Sequence, residues 1–138
     1  MLILNPSRVR FAGVPWEDVT LVAIDRGATK ALTEWSDFGP HVVLVDVPEQ
    51  KVTIRVERQL VRDGLEAPRP GDLGEVSFHA SPMGSEAARV RVRAMCVVIG
   101  VTHELSARRG AVRTIEMIAV STDGAADPVV VSAAEAES

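Results

Sequence analysis

The chain has 138 residues, of which 46% are hydrophobic and 25% are charged, and its net charge is −4. This composition excludes a disordered protein, and the acidic balance excludes an overall basic field that would hold nucleic acid tightly. The length fits one domain of ordinary size. We predict a single β-sandwich domain over residues 1–132 and a short acidic tail over residues 133–138.

No targeting or membrane segment is visible in the sequence. The opening residues Met1–Leu4 are apolar, but they lack the basic flank and the longer apolar region of a signal peptide. The longest apolar runs, such as Val42–Val45, are far too short to cross a bilayer. We therefore expect a protein that is made in the cytoplasm and that has no membrane partner.

β-Branched residues dominate the apolar positions, and this composition favours strands. Turn signals, among them those at 25–27, 47–50 and 67–72, divide the chain into segments. The sequence predicts strands at Val9–Gly13, Asp18–Ile24, His41–Val47, Lys51–Val61, Glu75–Ala80, Ala88–Thr102 and Val112–Ser121.

Two segments have some character of short helices. Between Gly27 and Trp35 the apolar residues follow helical spacing, so a short helix and an irregular loop are both open there. The segment Ser85–Arg89 begins with a serine that could cap a single helical turn. The sequence therefore predicts a mainly β fold, an antiparallel β-sandwich or barrel with one or two short helices.

The first half of Lys51–Val61 alternates apolar and polar residues. One face of this strand carries three β-branched residues, Val52, Ile54 and Val56. The opposite face carries three polar residues, Thr53, Arg55 and Glu57. We predict that the apolar face packs in the core, because a slip of one residue would bury the polar set. The polar face could meet bulk water, a ligand or another copy of the chain.

Three arginines, Arg89, Arg91 and Arg93, share one face of a single predicted strand. Guanidinium groups in this arrangement could grip phosphate or carboxylate groups. Aromatic residues make up only 4% of the chain, so little is available for stacking on bases. We predict salt bridges within or between subunits, with carboxylates such as Glu57 or Glu75 on neighbouring strands, rather than DNA binding.

No catalytic or metal-binding constellation is apparent. The three histidines, His41, His79 and His103, are scattered and lack the spacing of metal ligands. The single cysteine, Cys96, lies in an apolar run, and we predict a buried structural thiol. We predict that the protein is not an enzyme and that it uses no cofactor.

The order of elements as a whole resembles the tail tube proteins of bacteriophages and of related gene-transfer particles. The opening strands carry this resemblance in "VRFAGVPWEDVTLVAIDR" at 9–26, and the middle carries it in "PGDLGEVSFHAS" at 70–81. The last part is "VRTIEMIAVSTDGAADPVVV" at 112–131, a strand and small turn followed by the "DG" and "DP" pairs. The resemblance is one of pattern, size and order along nearly the whole chain.

The resemblance implies a structural subunit that forms hexameric rings, with strands of all six copies joining one ring-wide barrel. The rings stack into a tube, and the fold is shared with the inner tube of type VI secretion. Thr53, Arg55 and Glu57 would then face the lumen or a neighbouring subunit, and DNA would pass without specific binding. The implied partners are further copies and the sheath, baseplate and tail-terminator proteins, and the implied location is the virion tail.

Two other interpretations of the sequence remain open. The first is a small β-barrel protein that binds a ligand inside, although such cavities are usually lined by more aromatic residues than this chain has. The second is another ring-forming part of the same tail, such as a terminator, a connector or a baseplate hub component.

Overall fold

The computed structural model describes residues 2–3, 7–60, 68–80, 90–108 and 110–133. All regular structure in these ranges is strand, and no helix occurs there. The nine strands are β1 (Leu2–Ile3), β2 (Ser7–Phe11), β3 (Val14–Pro15), β4 (Val19–Trp35), β5 (Val42–Leu60), β6 (Leu73–Ala80), β7 (Val90–Ser106), β8 (Gly110–Ala119) and β9 (Val129–Ala133). The predicted mainly β, antiparallel fold is confirmed.

All nine strands belong to one antiparallel sheet in the order β1-β4-β5-β8-β7-β6-β2-β3, with β9 paired to β7. Strand β7 belongs to two parts of this sheet. Its first half pairs with β6 and β9, and its second half pairs with β8. We call β1, β4, β5, β8 and the second half of β7 layer A, and we call β2, β3, β6, β9 and the first half of β7 layer B.

The two layers close on a single core. Val9 and Phe11 of β2 lie near one end of the strand order, and Val22 and Ile24 of β4 lie near the other end. All four side chains nevertheless belong to one cluster of buried residues. The sheet must therefore fold over, so that one of its faces encloses the apolar side chains while the other stays outside.

Residues 52–60 of β5, which pair with β8, form the part of the strand that we call its inner part. The apolar face of this part lies in the core, as the alternation predicts. Val52, Ile54 and Val56 are 6%, 0% and 0% exposed. Ile54 is paired with Ile24 on one side and with Met117 on the other, and both of these are buried as well. Full burial of a side chain of this size stabilises the fold by about 1.5–3 kcal/mol. The predicted register of this strand is confirmed.

A tight turn joins β2 and β3, which are two strands of layer B. Ala12 and Gly13 both have positive φ values, 52° and 81°, which is the conformation of a two-residue hairpin turn. Gly74 of β6 lies against this turn, and a Cβ atom there would be 2.8 Å from the Cβ of Ala12. The close approach leaves room for glycine alone. The turn places the Phe11 ring against Trp16, with 5.2 Å between the ring centroids.

Three predictions for the segment between residues 25 and 50 are wrong. Gly27–Trp35 is neither a helix nor a loop but the outer part of β4, paired with β5. The turns predicted at 25–27 and 47–50 lie inside β4 and β5, and each strand runs unbroken through its predicted turn. In each case pairing between the two strands outweighs the local signal. The helix predicted at Ser85–Arg89 and residues 134–138 of the predicted tail lie outside the described residues.

Candidate interaction surfaces

Beyond the core, β4 and β5 continue as a two-stranded projection over residues 27–51, which we call the arm. Its strands stay paired from Gly27, opposite Lys51, to Trp35, opposite Val42. At about 3.3 Å per residue, this gives the arm a length of about 26–30 Å. Among the described strands, β1 and β8 pair only with the inner parts of β4 and β5. In the described structure, both edges of the arm are therefore open.

The arm exposes a large amount of apolar surface on both faces. Val43 and Val45 are 63% and 55% exposed on one face, and Leu44 is 51% exposed on the other. Phe38, in the connection at the tip, is 99% exposed. A continuous apolar run such as Val42–Val45 is typical of a strand that is buried on both faces. The described part of the chain supplies no layer that covers this run.

The arm is also acidic. Residues 27–51 contain four carboxylates and two lysines, Lys30 and Lys51, which lie towards its base. Cross-strand pairing sets Glu34 opposite Leu44, and Asp46 opposite Leu32. Residues two apart on a strand share a face, and so do residues directly opposite each other on paired strands. Two carboxylates and two leucines therefore lie together on one face of the arm: Glu34, Asp46, Leu32 and Leu44. That face, which we call the mixed face, alternates carboxylates with leucines.

The base of the arm is braced by the loop between β8 and β9. Arg26 donates a hydrogen bond to Asp127 Oδ2 at 2.9 Å, and the two form an exposed ion pair. The backbone N–H groups of Ala126 and Ala125 donate to Asp123 and hold the pKa of that carboxyl below its ordinary value. An exposed ion pair of this kind contributes little stability, so its main effect is to orient the loop beside the arm.

The candidates Thr53, Arg55 and Glu57 lie on the outer face of layer A. Arg55 is exposed, and Thr53 and Glu57 are half-buried. Arg55 is paired with Glu116 of β8, and Glu57 is paired with Thr114. The three side chains therefore point away from the core, as the alternation predicts. Their contact with a lumen or a neighbouring subunit stays a prediction.

Two of the three candidate arginines, Arg91 and Arg93, lie on the outer face of layer B, where both are half-buried. Arg89 is outside the described residues. Of the partners suggested within the sheet, Glu57 is on layer A, away from these arginines. Glu75 lies on the neighbouring strand β6, opposite Met95 and diagonal to Arg93, and no ion pair joins the two among the described residues. Salt bridges between subunits stay a prediction.

The sequence analysis missed one buried cation. Arg113 of β8 is 1% exposed, and its Nε donates a hydrogen bond to Nε2 of His103 at 3.0 Å. Arg113 is in phase with Ile115 and Met117 along the strand, so the alternation alone places it on the core face. The position of Arg113 in the alternation was therefore the sequence signal that could have predicted its burial.

Cys96 is 0% exposed, and its burial raises the pKa of the thiol to about 12. The prediction of a buried structural thiol is confirmed.

His79 is 4% exposed, and no group of three or more His, Cys, Asp or Glu residues in the described ranges is placed to hold a metal ion. Those ranges also contain no helix long and apolar enough to cross a membrane.

No protein-family model matches the chain, and no curated protein matches its sequence. The similarity to tail tube proteins therefore stays a resemblance in the order and size of the elements.

Proposed function

We propose that the chain is a self-assembling structural subunit of a tail-type tube, in which hexameric rings stack around a lumen that conducts DNA. The observation that carries the self-assembly is the arm, with its open edges and its apolar side chains on both faces. The ring size, the lumen and the passage of DNA come from the resemblance to tail tube proteins. The same resemblance suggests sheath, baseplate and terminator proteins as partners, and the virion tail as the location.

The arm needs a partner for a physical reason. A two-stranded ribbon that is not covered by a further layer is marginally stable in water. Open strand edges also favour pairing with other chains. Val43, Val45 and Leu44 are already about half covered, so burial of the rest of each side chain in a contact would contribute about 1 kcal/mol. An arm that fits a different surface of the next copy makes a heterologous contact, which can repeat to give rings or stacks.

The charge on the outer face of layer A supports the assignment of this face to the lumen. The outward positions on β4, β5 and β8 include three carboxylates, Asp25, Glu57 and Glu116. Lys51 and Arg55 are the basic residues among them. A wall with more carboxylates than basic residues repels the phosphates of DNA, so DNA could slide past it without binding.

Negative-stain electron microscopy of the concentrated full chain tests this proposal. We expect rings or tubes of uniform diameter with an axial channel. Rings that do not stack would instead favour a terminator, connector or hub component. Monodisperse monomers over a wide range of concentration and salt would overturn the proposal. They would favour the ligand-binding barrel, although the core-facing side chains of the described residues already pack against one another in a single cluster.

A further inference from the structure

Two surfaces of the molecule carry opposite charge. The mixed face of the arm carries Glu34 and Asp46, both exposed. The outer face of layer B carries three arginines, Arg10, Arg91 and Arg93. Among the described residues, no ion pair joins these three guanidinium groups to a carboxylate. Each surface also carries one group of opposite charge, Lys30 on the arm and Glu75 on layer B. Each surface nevertheless keeps an excess, two carboxylates against one lysine on the arm and three arginines against one carboxylate on layer B.

The arginines form a defined pattern across layer B. Arg93 is paired with Ser77 of β6, and Ser77 is in turn paired with Arg10 of β2, so three strands contribute to one row. The β6 side chains between the arginines are buried, with Ser77 9% exposed and His79, the partner of Arg91, 4% exposed. Arg91 lies two residues from Arg93 on the same face, at a spacing of about 6.6–6.8 Å between Cα atoms. On its other side, Arg93 is paired with Val130 of β9, which is 47% exposed. Basic and apolar groups are thus adjacent on this face.

The mixed face of the arm has a matching pattern. Glu34 is opposite Leu44, and Asp46 is two residues from Leu44 on the same strand. Glu34 and Asp46 are therefore diagonal neighbours, about 7–8 Å apart. The two carboxylates have nearly the spacing of Arg91 and Arg93. The leucine between them is an apolar group of the kind that Val130 could contact.

We propose that the arm of one copy docks by its mixed face on the outer face of layer B of a second copy. Glu34 and Asp46 pair with Arg91 and Arg93, Leu44 packs beside Val130, and Arg10 extends the basic surface. Bidentate contacts between guanidinium and carboxylate groups give such a contact its orientation, and apolar burial gives it affinity. The inference rests on the proposed self-assembly and names the surface that receives the arm.

The occupant is a protein surface rather than the phosphate backbone of DNA. Phosphate contacts use cations and hydrogen-bond donors, and an exposed valine adds nothing to them. A mixed face that alternates carboxylates with leucines uses both the arginines and Val130. The arm also has the complementary charge, since it carries four carboxylates and two lysines, and the lysines lie towards its base.

Charge reversal on the two surfaces tests the docking. One variant of the full chain combines Glu34→Lys with Asp46→Lys, and the other combines Arg91→Glu with Arg93→Glu. Because Arg91 and Arg93 are half-buried, Arg10→Glu at an exposed position is a second variant of the same face. The matched controls are Glu104→Lys and Arg108→Glu, exposed residues at the far end of β7 and in the turn after it. Sedimentation velocity measures association, and thermal melting confirms that each variant is folded.

We expect each charge-reversed variant alone to associate at least about tenfold more weakly than the wild type, because like charges then face each other. An equimolar mixture of the two double variants should recover association, because each arm again meets a face of opposite charge. The controls should behave like the wild type.

Other outcomes separate the possible failures. If the wild type assembles and the charge-reversed variants assemble as well as the controls, the docking is wrong while the proposed function stands. If the wild type stays monomeric, both the docking and the proposed function are wrong. The wild type is also titrated with a double-stranded DNA oligonucleotide at physiological salt. Tight binding that is lost in the Arg91→Glu, Arg93→Glu variant would assign the arginines to phosphate and overturn the docking.

Discussion

The inner and outer parts of the β4–β5 hairpin use the same two strands in different surroundings. In the inner part, Ile54 and Val56 are 0% exposed and lie between two layers. In the arm, Val45 is 55% exposed and Leu44 is 51% exposed on the opposite face. The inner sequence alternates apolar and polar residues, whereas the arm sequence has the unbroken run Val42–Val45.

This contrast shows what each pattern indicates about burial. Alternation is typical of a strand with one covered face and one wet face, and the inner part of β5 has this arrangement. An unbroken apolar run is typical of a strand that is covered on both faces, but the described residues cover neither face of the arm. The run is consistent with burial in an assembly, which is the physical basis of the proposed function.

The largest expected effect is on the free energy of unfolding. It comes from a matched pair of side-chain truncations in β5, one in the inner part of the strand and one in the arm. Ile54→Ala should lower the free energy of unfolding by about 2–5 kcal/mol, because it leaves a cavity in a fully buried site. Leu44→Ala should change the stability of the monomer by less than about 0.5 kcal/mol, because the side chain is already exposed. Urea unfolding at a low protein concentration measures both. Equal losses would mean that the arm is covered within the monomer.

A smaller effect is expected at the buried arginine. Arg113→Ala removes the donor to His103 and leaves that acceptor without this bond, so unfolding should become easier by about 1–3 kcal/mol. Arg108→Ala, at an exposed turn position, is the control and should be close to neutral. The same denaturation experiment compares them. If both variants unfold like the wild type, the burial of Arg113 does not contribute to the fold.

The smallest effect concerns Cys96 and depends on pH. Burial raises the pKa of the thiol from 9.0 to about 12, so the folded state holds the proton more tightly than the unfolded state. The resulting stability is fully present below pH 9 and is lost as the pH rises from 9 towards 12. At pH 10 the loss should be about 1 kcal/mol relative to Cys96→Ala, which cannot titrate. A thiol reagent should label the native protein far more slowly than the unfolded chain.

A flat difference between wild type and Cys96→Ala from pH 7 to pH 10.5, together with fast labelling of the native protein, would contradict this. It would mean that the core around β7 opens readily, in contrast to the 0% exposure of Cys96.

Sequence reasoning worked best where a strand has one covered face. The core-facing positions of β5, such as Ile54, follow directly from the period of two. In β6 the same period places Phe78 correctly, but it misses the burial of Ser77 and His79 on the opposite face. The same reasoning failed at Pro48, which suggested a turn. Pro48 lies in β5, where the pairing shifts between Lys30 and Leu32, and an arm with an open edge tolerates a residue that cannot donate a hydrogen bond.

Other features depend on partners that are distant in the sequence. The spacing of apolar residues in Gly27–Trp35 suggested a helix, but β5 supplies a strand partner that no local window reveals. Strand β9 was not predicted, because its pairing with the first half of β7 joins segments about 40 residues apart. The arginine face of layer B could not be predicted from the sequence either, because it depends on the strand register. Arg10 and Arg93 lie in one row because both are paired with Ser77.

The central claim is that the arm drives assembly while the rest of the molecule folds without it. Sedimentation velocity over a wide range of concentration should compare the full chain with a variant in which an Asn-Gly turn replaces residues 28–50. The full chain should form larger species as its concentration rises, and the variant should remain a monomer with a cooperative thermal transition. A variant that assembles as well as the full chain, or a full chain that stays monomeric throughout, would contradict the account.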